Sequence, residues 1–374
     1  GMINYFFPYK DIIGENWNNV LADALPGFVN AANEQDYVIA AMKIIARVKD
    51  THANIYGANK VLNAYRGNYL APFEAKFIEE KLVVTDFYTD TLGIKDKIKP
   101  GDVIAAINGS PVEALMKKFL PLTAASNYPT QLRDLPFKHL LRTNEKSITI
   151  DVLQNGKKVT HSFPSIDRSR EKNFAFEKAS NFKLINKEIG YIYPAKYKNT
   201  DLPEIQKQFA ETKGIIVDMR CYPSDFMPFT FGNYIKKPGT PFAKFTQGNI
   251  NYPGVITHGP VAANGGGGAY QGKVVVIVNE DSQSQAEYTT MAFQSAPNVV
   301  VIGSTTAGAD GNVSGIILPG NIATMISGIG VFYPDNTPTQ RVGVKIDHVI
   351  KPTIKGIAEG RDELMEKAIA LIKE

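Results

Sequence analysis

The chain has 374 residues, with 41 Lys+Arg against 37 Asp+Glu, giving a formal charge of +4 at neutral pH. Hydrophobic residues make up 44% and charged residues 21%, so the chain can bury real cores and does not read as disordered; at about 150 residues per domain its length suggests two or three. No basic run exceeds pairs such as Lys117-Lys118, which argues against nucleic acid, and a single cysteine, Cys221, excludes an internal disulfide framework and a cysteine-based zinc site. No stretch of about 18 apolar residues occurs, so no membrane-spanning helix is predicted.

The first 17 residues are aromatic and interrupted by Pro8, Asp11 and Glu15. They lack the basic start and clean apolar run of a secretory signal, although an exported chain stripped of its signal would read the same way. Residues 16–50 read as helical, with Tyr37, Ala41, Ile44, Ile45 and Val48 at helical spacing. The pattern ends at Asp50-Thr51-His52, which places His52 just past a helix end. Residues 68–165 change to strand-like alternation at Phe73, Ala75 and Phe77, followed by Leu82-Val83-Val84. A helix is predicted from Val112 to Phe119, then a hairpin in which Ile148–Val152 and Val159–Phe163 flank Asn155-Gly156.

From residue 166 onward buried strands alternate with helices. Gly214–Met219, Lys273–Val278 and Val299–Ile302 are short apolar runs, and Ala286–Gln294 between the last two is helical. This pattern predicts an α/β unit with a mostly parallel sheet. A glycine-rich loop is expected from about Pro260 to Gly272, and Arg361–Lys373 closes the chain as an amphipathic helix.

The chemistry-bearing place is the turn Asn279-Glu280-Asp281-Ser282-Gln283-Ser284, between the Lys273–Val278 strand and its helix. A serine there exposes its Oγ beside the unpaired N–H groups of a first helical turn, which suit a developing oxyanion. The plainer alternative is a helix cap by Ser282 or Ser284, with Glu287 completing a capping box after Ser284. A nucleophilic serine needs a base. Of the five histidines, His139 and His161 read as surface or packing residues, His258 lies in the glycine-rich loop and His348 at a strand end. His52, beside the Thr51 hydroxyl, reads equally as a histidine favoured by a helix C-terminus. The Gly265–Gly268 run lacks the Gly-Lys-Ser/Thr order of a phosphate loop, and neither Gly-x-Ser-x-Gly nor His-Glu-x-x-His occurs, so no cofactor or metal is predicted. Cys221 reads as a small, semi-buried residue.

Five ordered segments together resemble the tail-specific and tricorn-like serine peptidases. They are Val274–Asn279 with Ser284-Gln285-Ala286-Glu287; Val299–Gly303 with Thr306-Ala307-Gly308; Ile216–Arg220; Asp50-Thr51-His52-Ala53; and Lys99–Ile104 with Ile107-Asn108-Gly109. The last pair is similar to an inserted PDZ module. The resemblance covers about residues 35–374, and Gly343-Val344 and Lys351-Pro352 fit it. It implies a multi-domain α/β plus α+β chain: a helical segment 1–67 carrying the base, a PDZ-like domain 68–165, and a crotonase-like catalytic core 166–374. It further implies Ser284 as nucleophile, His52 as general base, Thr51 as an assisting hydroxyl and Gln340 near the place of an acidic fourth residue. The backbone N–H of Gln285, with that of Ser224 or Asp225, would form the oxyanion hole. The implied partner is a protein or peptide substrate, and the implied location the cell envelope or periplasm.

Three departures from that pattern stand out. The turn after Arg220 is Pro223-Ser224-Asp225 where the family carries glycines. Ala307–Gly311 holds no lysine, which excludes a Ser–Lys dyad at that position and leaves the Ser–His branch. Tyr69–Phe73 stands where a PDZ carboxylate loop belongs. The expected function is therefore a serine peptidase working through an acyl-enzyme. The alternative is a peptide-binding homologue that keeps the fold without efficient catalysis.

Overall fold

The computed structural model describes residues 1–57, 59–89, 92–154, 156–168, 179–263 and 266–374. The N-terminal part is helical: α1 (Met2–Phe6), α2 (Trp17–Val29), α3 (Glu34–Arg47) and α4 (Lys60–Arg66). The long helical reading of 16–50 is thus two helices. The chain breaks at residues 30–33 because Asn33 takes extended backbone and caps α3, its side chain accepting the Asp36 N–H at 3.0 Å.

The next module is an antiparallel sheet in the order β1 (Phe73–Ile78), β2 (Lys81–Phe87), β3 (Val103–Ile107), β4 (Ser147–Gln154), β5 (Lys157–Pro164). The β4–β5 hairpin pairs Gln154 with Lys157. Its predicted turn is Asn155-Gly156, of which Asn155 lies outside the described residues. Helices α5 (Val112–Phe119) and α6 (Tyr128–Leu135) cover the sheet, and Leu135 of α6 is buried with the sheet residues Phe73, Leu82, Ile104 and Phe163 in one core.

The third part is built on a six-stranded sheet, ordered β6 (Phe182–Ile185), β7 (Ile189–Ile192), β8 (Gly214–Asp218), β11 (Lys273–Val278), β12 (Val299–Gly303), β16 (His348–Val349). Every neighbouring pair is parallel except β6–β7. Strands buried on both faces need continuous apolar runs, and Val274–Val278 are all fully buried. Helices α7 (Leu202–Phe209), α8 (Phe231–Ile235), α9 (Gln285–Gln294), α10 (Ile354–Ala358) and α11 (Glu363–Lys373) accompany it. Between β8 and β11 the chain adds β9 (Pro241–Gly248) and β10 (Ile256–Ala263), so His258 and Pro260–Ala263 are strand residues rather than part of the expected loop; Gly265 of that loop lies outside the described residues. The hairpin β13 (Val313–Leu318) with β14 (Ile322–Ser327), and the short β15 (Val331–Phe332), complete the chain.

The hairpin joins the first and third parts. Phe7, Ile13, Ile45 and Val48 pack with Ile326, and Tyr56 bridges to Ala323. This places the loop after α3 against the carboxyl-end loops of the parallel sheet. In open α/β sheets, the crevice at that end of the strands is where sites form.

Candidate active site

Three adjacent strands, β8, β11 and β12, deliver their C-terminal ends to one place. β8 ends at Asp218, whose carboxylate takes a two-pronged hydrogen bond from Arg220, Nε and Nη2 each at 2.8 Å. Arg220 also reaches Asp362 at 2.7 Å, which fixes the turn that follows. β11 runs into the turn holding Ser282 and Ser284. Ser282 is fully buried, its Oγ donating to the Met219 carbonyl at 2.7 Å and accepting the Asn279 N–H at 3.1 Å. It is a structural residue.

Ser284 is different. It opens α9 with φ 55° and ψ −112°, far from the extended backbone of an ordinary cap. A non-glycine residue so placed carries strain of about 1–3 kcal/mol and must be held by its surroundings. Two groups hold it: the Ser284 N–H is shared between the Ala309 carbonyl at 3.0 Å and Glu287 Oε2 at 3.1 Å. Ser284 and Glu287 form the capping box that the sequence allowed, and the same strained strand-to-helix turn is where a nucleophile elbow places its serine.

Glu287 organises the turn. It is fully buried, and its two oxygens accept from Thr306 Oγ1 (2.6 Å), Gly308 N (2.8 Å), Ala309 N (3.0 Å) and Ser284 N. Burial raises its pKa and these donors oppose the rise. The capping reading saw only the contact with Ser284. The glycine of Thr306-Ala307-Gly308 is also accounted for: Gly308 has φ +62°, and a Cβ there would meet the Arg341 backbone at 2.9 Å. Next to it Asp310 is buried, with one oxygen accepting the Gly311 N–H at 2.7 Å and Oδ2 unpaired. Burial, and then the Glu287 charge, push its pKa well up.

The loop after α3 meets this strap from the other side. Thr51 Oγ1 donates to the Ala307 carbonyl at 3.0 Å and accepts the Ser126 N–H at 2.9 Å. His52 is 6% exposed. Its Nδ1 lies 2.8 Å from Ser327 Oγ, which in turn donates to Asp50 Oδ1 at 3.0 Å; Asp50 Oδ2 accepts the Ser327 N–H at 2.6 Å. Because Ser327 gives its proton to the Asp50 carboxylate, the network assigns the His52 proton to Nδ1 and leaves Nε2 with the lone pair. Burial lowers the His52 pKa and the Asp50 charge opposes this, which favours the neutral ring a general base needs. Asp50 and Ser327 were not among the sequence-predicted site residues. Asp50 sits inside the quoted Asp50-Thr51-His52 motif, whereas Ser327 carries no sequence signal.

Gln340 is 1% exposed, and its amide reaches Ser126 Oγ at 3.3 Å rather than the His52 ring; its Oε1 has no partner. It belongs to the Thr51–Ser126 group. Of the two turn residues expected to aim an oxyanion donor, Ser224 already gives its N–H to the Pro194 carbonyl at 2.9 Å. The Asp225 carbonyl accepts from the Gln285 side-chain amide at 2.9 Å, so this turn lies alongside the N-terminus of α9. Gln285 is the first helical residue, whose N–H has no intrahelical acceptor. An aromatic group flanks the same turn. Phe226 stacks on Tyr288 with ring centroids 5.8 Å apart, and Phe229 follows; the two are 44% and 41% exposed.

The remaining histidines lie elsewhere. His139 is a packing residue stacked on Phe119 at 4.7 Å, its pKa depressed to about 2 by burial and nearby cations. His161 is half-buried on β5, while His258 on β10 and His348 on β16 are exposed. Cys221 is buried and its thiol pushed up to about 12, mainly by that burial, so it is not a thiolate nucleophile.

Residues 235–350 match the profile of peptidase family S41, a span that includes Ser284, Glu287 and Gln340. No curated protein matches the chain. Among solved structures it is similar to mature CPAF complexed with lactacystin, at 12% identity and a TM-score of 0.72 over 100% of this chain and 95% of that one. A candidate peptidase from Parabacteroides merdae gives 17% identity and a TM-score of 0.58 over 99% and 93%. A candidate S41 protease from Bacteroides fragilis gives 12% and 0.50 over 100% and 95%. At these identities the likeness is one of fold, and it extends along the whole chain.

Proposed function

We propose that this chain is a tail-specific, S41-type serine peptidase that hydrolyses peptide bonds by a Ser–His acyl-enzyme mechanism. The observation that carries the reading is Ser284 at φ 55° on the turn from β11 into α9, held by Ala309 and Glu287. His52 Nε2 takes the Ser284 proton as Oγ attacks the carbonyl carbon. The imidazolium that forms is stabilised through Nδ1–H by Ser327 and the Asp50 carboxylate behind it. The oxyanion rests on the Gln285 N–H and a second N–H of the Asp225 turn. His52 then returns its proton to the leaving amine, and water activated by the same ring cleaves the acyl-enzyme. Thr51 positions the strap through Ala307, and Gln340 supports Thr51 through Ser126.

The exposed edge formed by Phe226 and Phe229 supports an apolar substrate side chain beside the scissile bond. The 73–164 sheet is the PDZ-like platform in this reading. Its covering helix α6 docks it through Arg133, which donates to the Glu280 carbonyl at 2.8 Å and to Gln283 at 3.2 Å, in the turn before Ser284. The test is hydrolysis of peptides carrying Phe, Leu, Lys or Asp next to the cleaved bond. Burying one apolar side chain is worth about 1.5–3 kcal/mol, so the Phe and Leu peptides should lead by roughly tenfold or more in kcat/KM. Ser284→Ala should abolish turnover. The second reading, a peptide-binding homologue, is favoured by the Gln340 amide meeting Ser126 instead of the histidine. It predicts peptide binding without turnover in the unmodified chain.

A further inference from the structure

A cavity of about 710 Å³ lies between α2, α3 and residues 120–131. The proposed chemistry leaves it unused, and it adjoins that site through Ser126, Asn127 and Arg341, the last two bonded to the carbonyls of Thr306 and Gly308. Its lining holds Lys43, Arg47, Lys49 and Arg341 against the single carboxylate of Asp23. Arg47 is neutralised by Glu15 at 2.5 Å and Asp23 at 3.0 Å. Among the described residues the other three cations meet no carboxylate within 4.0 Å. Arg341 donates instead to the carbonyls of Ile12 (2.6 Å), Ile13 (3.0 Å) and Ser126 (3.3 Å).

Lys49 and Arg341 also approach one another beside Gly14, at the margin of the lining. A Cβ placed on Gly14 would stand 2.9 Å from Arg341 Nη1 and 3.7 Å from Lys49 Nζ. Both residues reach this point from left-handed backbone, φ 53° at Lys49 and 71° at Arg341. Two neighbouring cations that meet no carboxylate are stabilised by a ligand that supplies one. The rest of the lining is largely apolar, with Ala24, Ile44, Leu120 and Pro121. The volume falls in the range of small-molecule sites, roughly 300–1,000 Å³.

We propose that this cavity binds an organic anion: a carboxylate or phosphate head between Lys49 and Arg341, on an apolar body lying between α2 and residues 120–125. The inference stands on charge and shape, independently of the peptidase reading. The test is isothermal titration of the full chain with octanoate, octyl phosphate, octanamide and inorganic phosphate. Octanoate or octyl phosphate binds, the tighter of the two identifying the head. Octanamide and inorganic phosphate bind at least about tenfold more weakly, one lacking the charge and the other the apolar body. The double variant Lys43→Gln/Lys49→Asn weakens binding by about tenfold or more. Asn is chosen because it tolerates the left-handed backbone, and Arg341 is kept because its donors hold three carbonyls. The proposal is overturned if neither amphiphile binds below about 1 mM. It is equally overturned if octanamide or inorganic phosphate binds as tightly as the amphiphiles, or if the double variant binds as the unmodified chain does.

Discussion

Replacing Glu287 by Gln probes the nucleophile turn with almost no change of shape. In the native chain two carboxylate oxygens accept from Thr306 Oγ1, Gly308 N, Ala309 N and Ser284 N, at 2.6 to 3.1 Å. Glutamine offers one oxygen and one NH₂. Two of the donors then face another donor, and the side chain is fully buried, so water cannot make up the loss. Each buried unsatisfied donor costs about 1–3 kcal/mol, giving about 2–6 kcal/mol for the pair. Removing a buried charge returns part of this, and we expect a net loss of ~3 kcal/mol. Guanidinium unfolding followed by far-UV circular dichroism measures it. A fluorophosphonate probe reads the second consequence: with the Ser284 amide held by the Ala309 carbonyl alone, labelling of Ser284 should slow by at least about tenfold in the folded variant. A stability loss under ~1 kcal/mol with unchanged labelling would refute the claim that this carboxylate holds the turn.

Other consequences are equally open to measurement. Ser327→Ala removes the group that orients His52 Nδ1; labelling should fall while Ser327→Thr, which keeps a hydroxyl, restores most of it, and equal rates in both would exclude the relay. The depressed pKa of His139, about 2 against an ordinary 6.5, makes its contribution present above the unfolded value and lost as pH falls below it. At pH 4.5 the native chain therefore gives up about 3 kcal/mol that His139→Leu does not, and urea titrations at pH 7.5 and 4.5 should show the variant's flatter acid limb. The raised pKa of Asp310 has the opposite sign: its stability contribution is present below the unfolded value and is lost as pH rises. Asp310→Asn should accordingly gain more on the wild type at pH 8 than at pH 5, and a pH-independent difference would contradict this.

The features legible in the sequence are those set by local physics. The run Val274–Val278 is buried on both faces and reads as apolar throughout, and the serine after it stands where strand gives way to helix. The helix from Val112 to Phe119 ends where its periodicity does. The helical reading of 16–50 failed at a cap, because Asn33 stops the pattern through its side chain and not through a change of hydropathy. The β9–β10 hairpin was illegible because much of it is exposed, and glycines around 259 and 265–268 resemble a loop. At the site, Asp50, Thr51 and His52 announce themselves as one motif. The residue joining Asp50 to His52 is Ser327, brought from 275 positions away by a hairpin whose register no local pattern encodes. Gln340 was expected near the place of an acidic fourth residue, yet its amide meets Ser126, which in turn bonds Thr51 and comes from the segment before α6.

The central claim is an activated Ser284 with His52 as its base. Fluorophosphonate labelling, located by peptide mass spectrometry, tests it on the unmodified chain, Ser284→Ala and His52→Ala. The account predicts an adduct on Ser284 in the unmodified chain and none in either variant. No adduct on the folded, unmodified chain, or an adduct that survives His52→Ala at full rate, would contradict it.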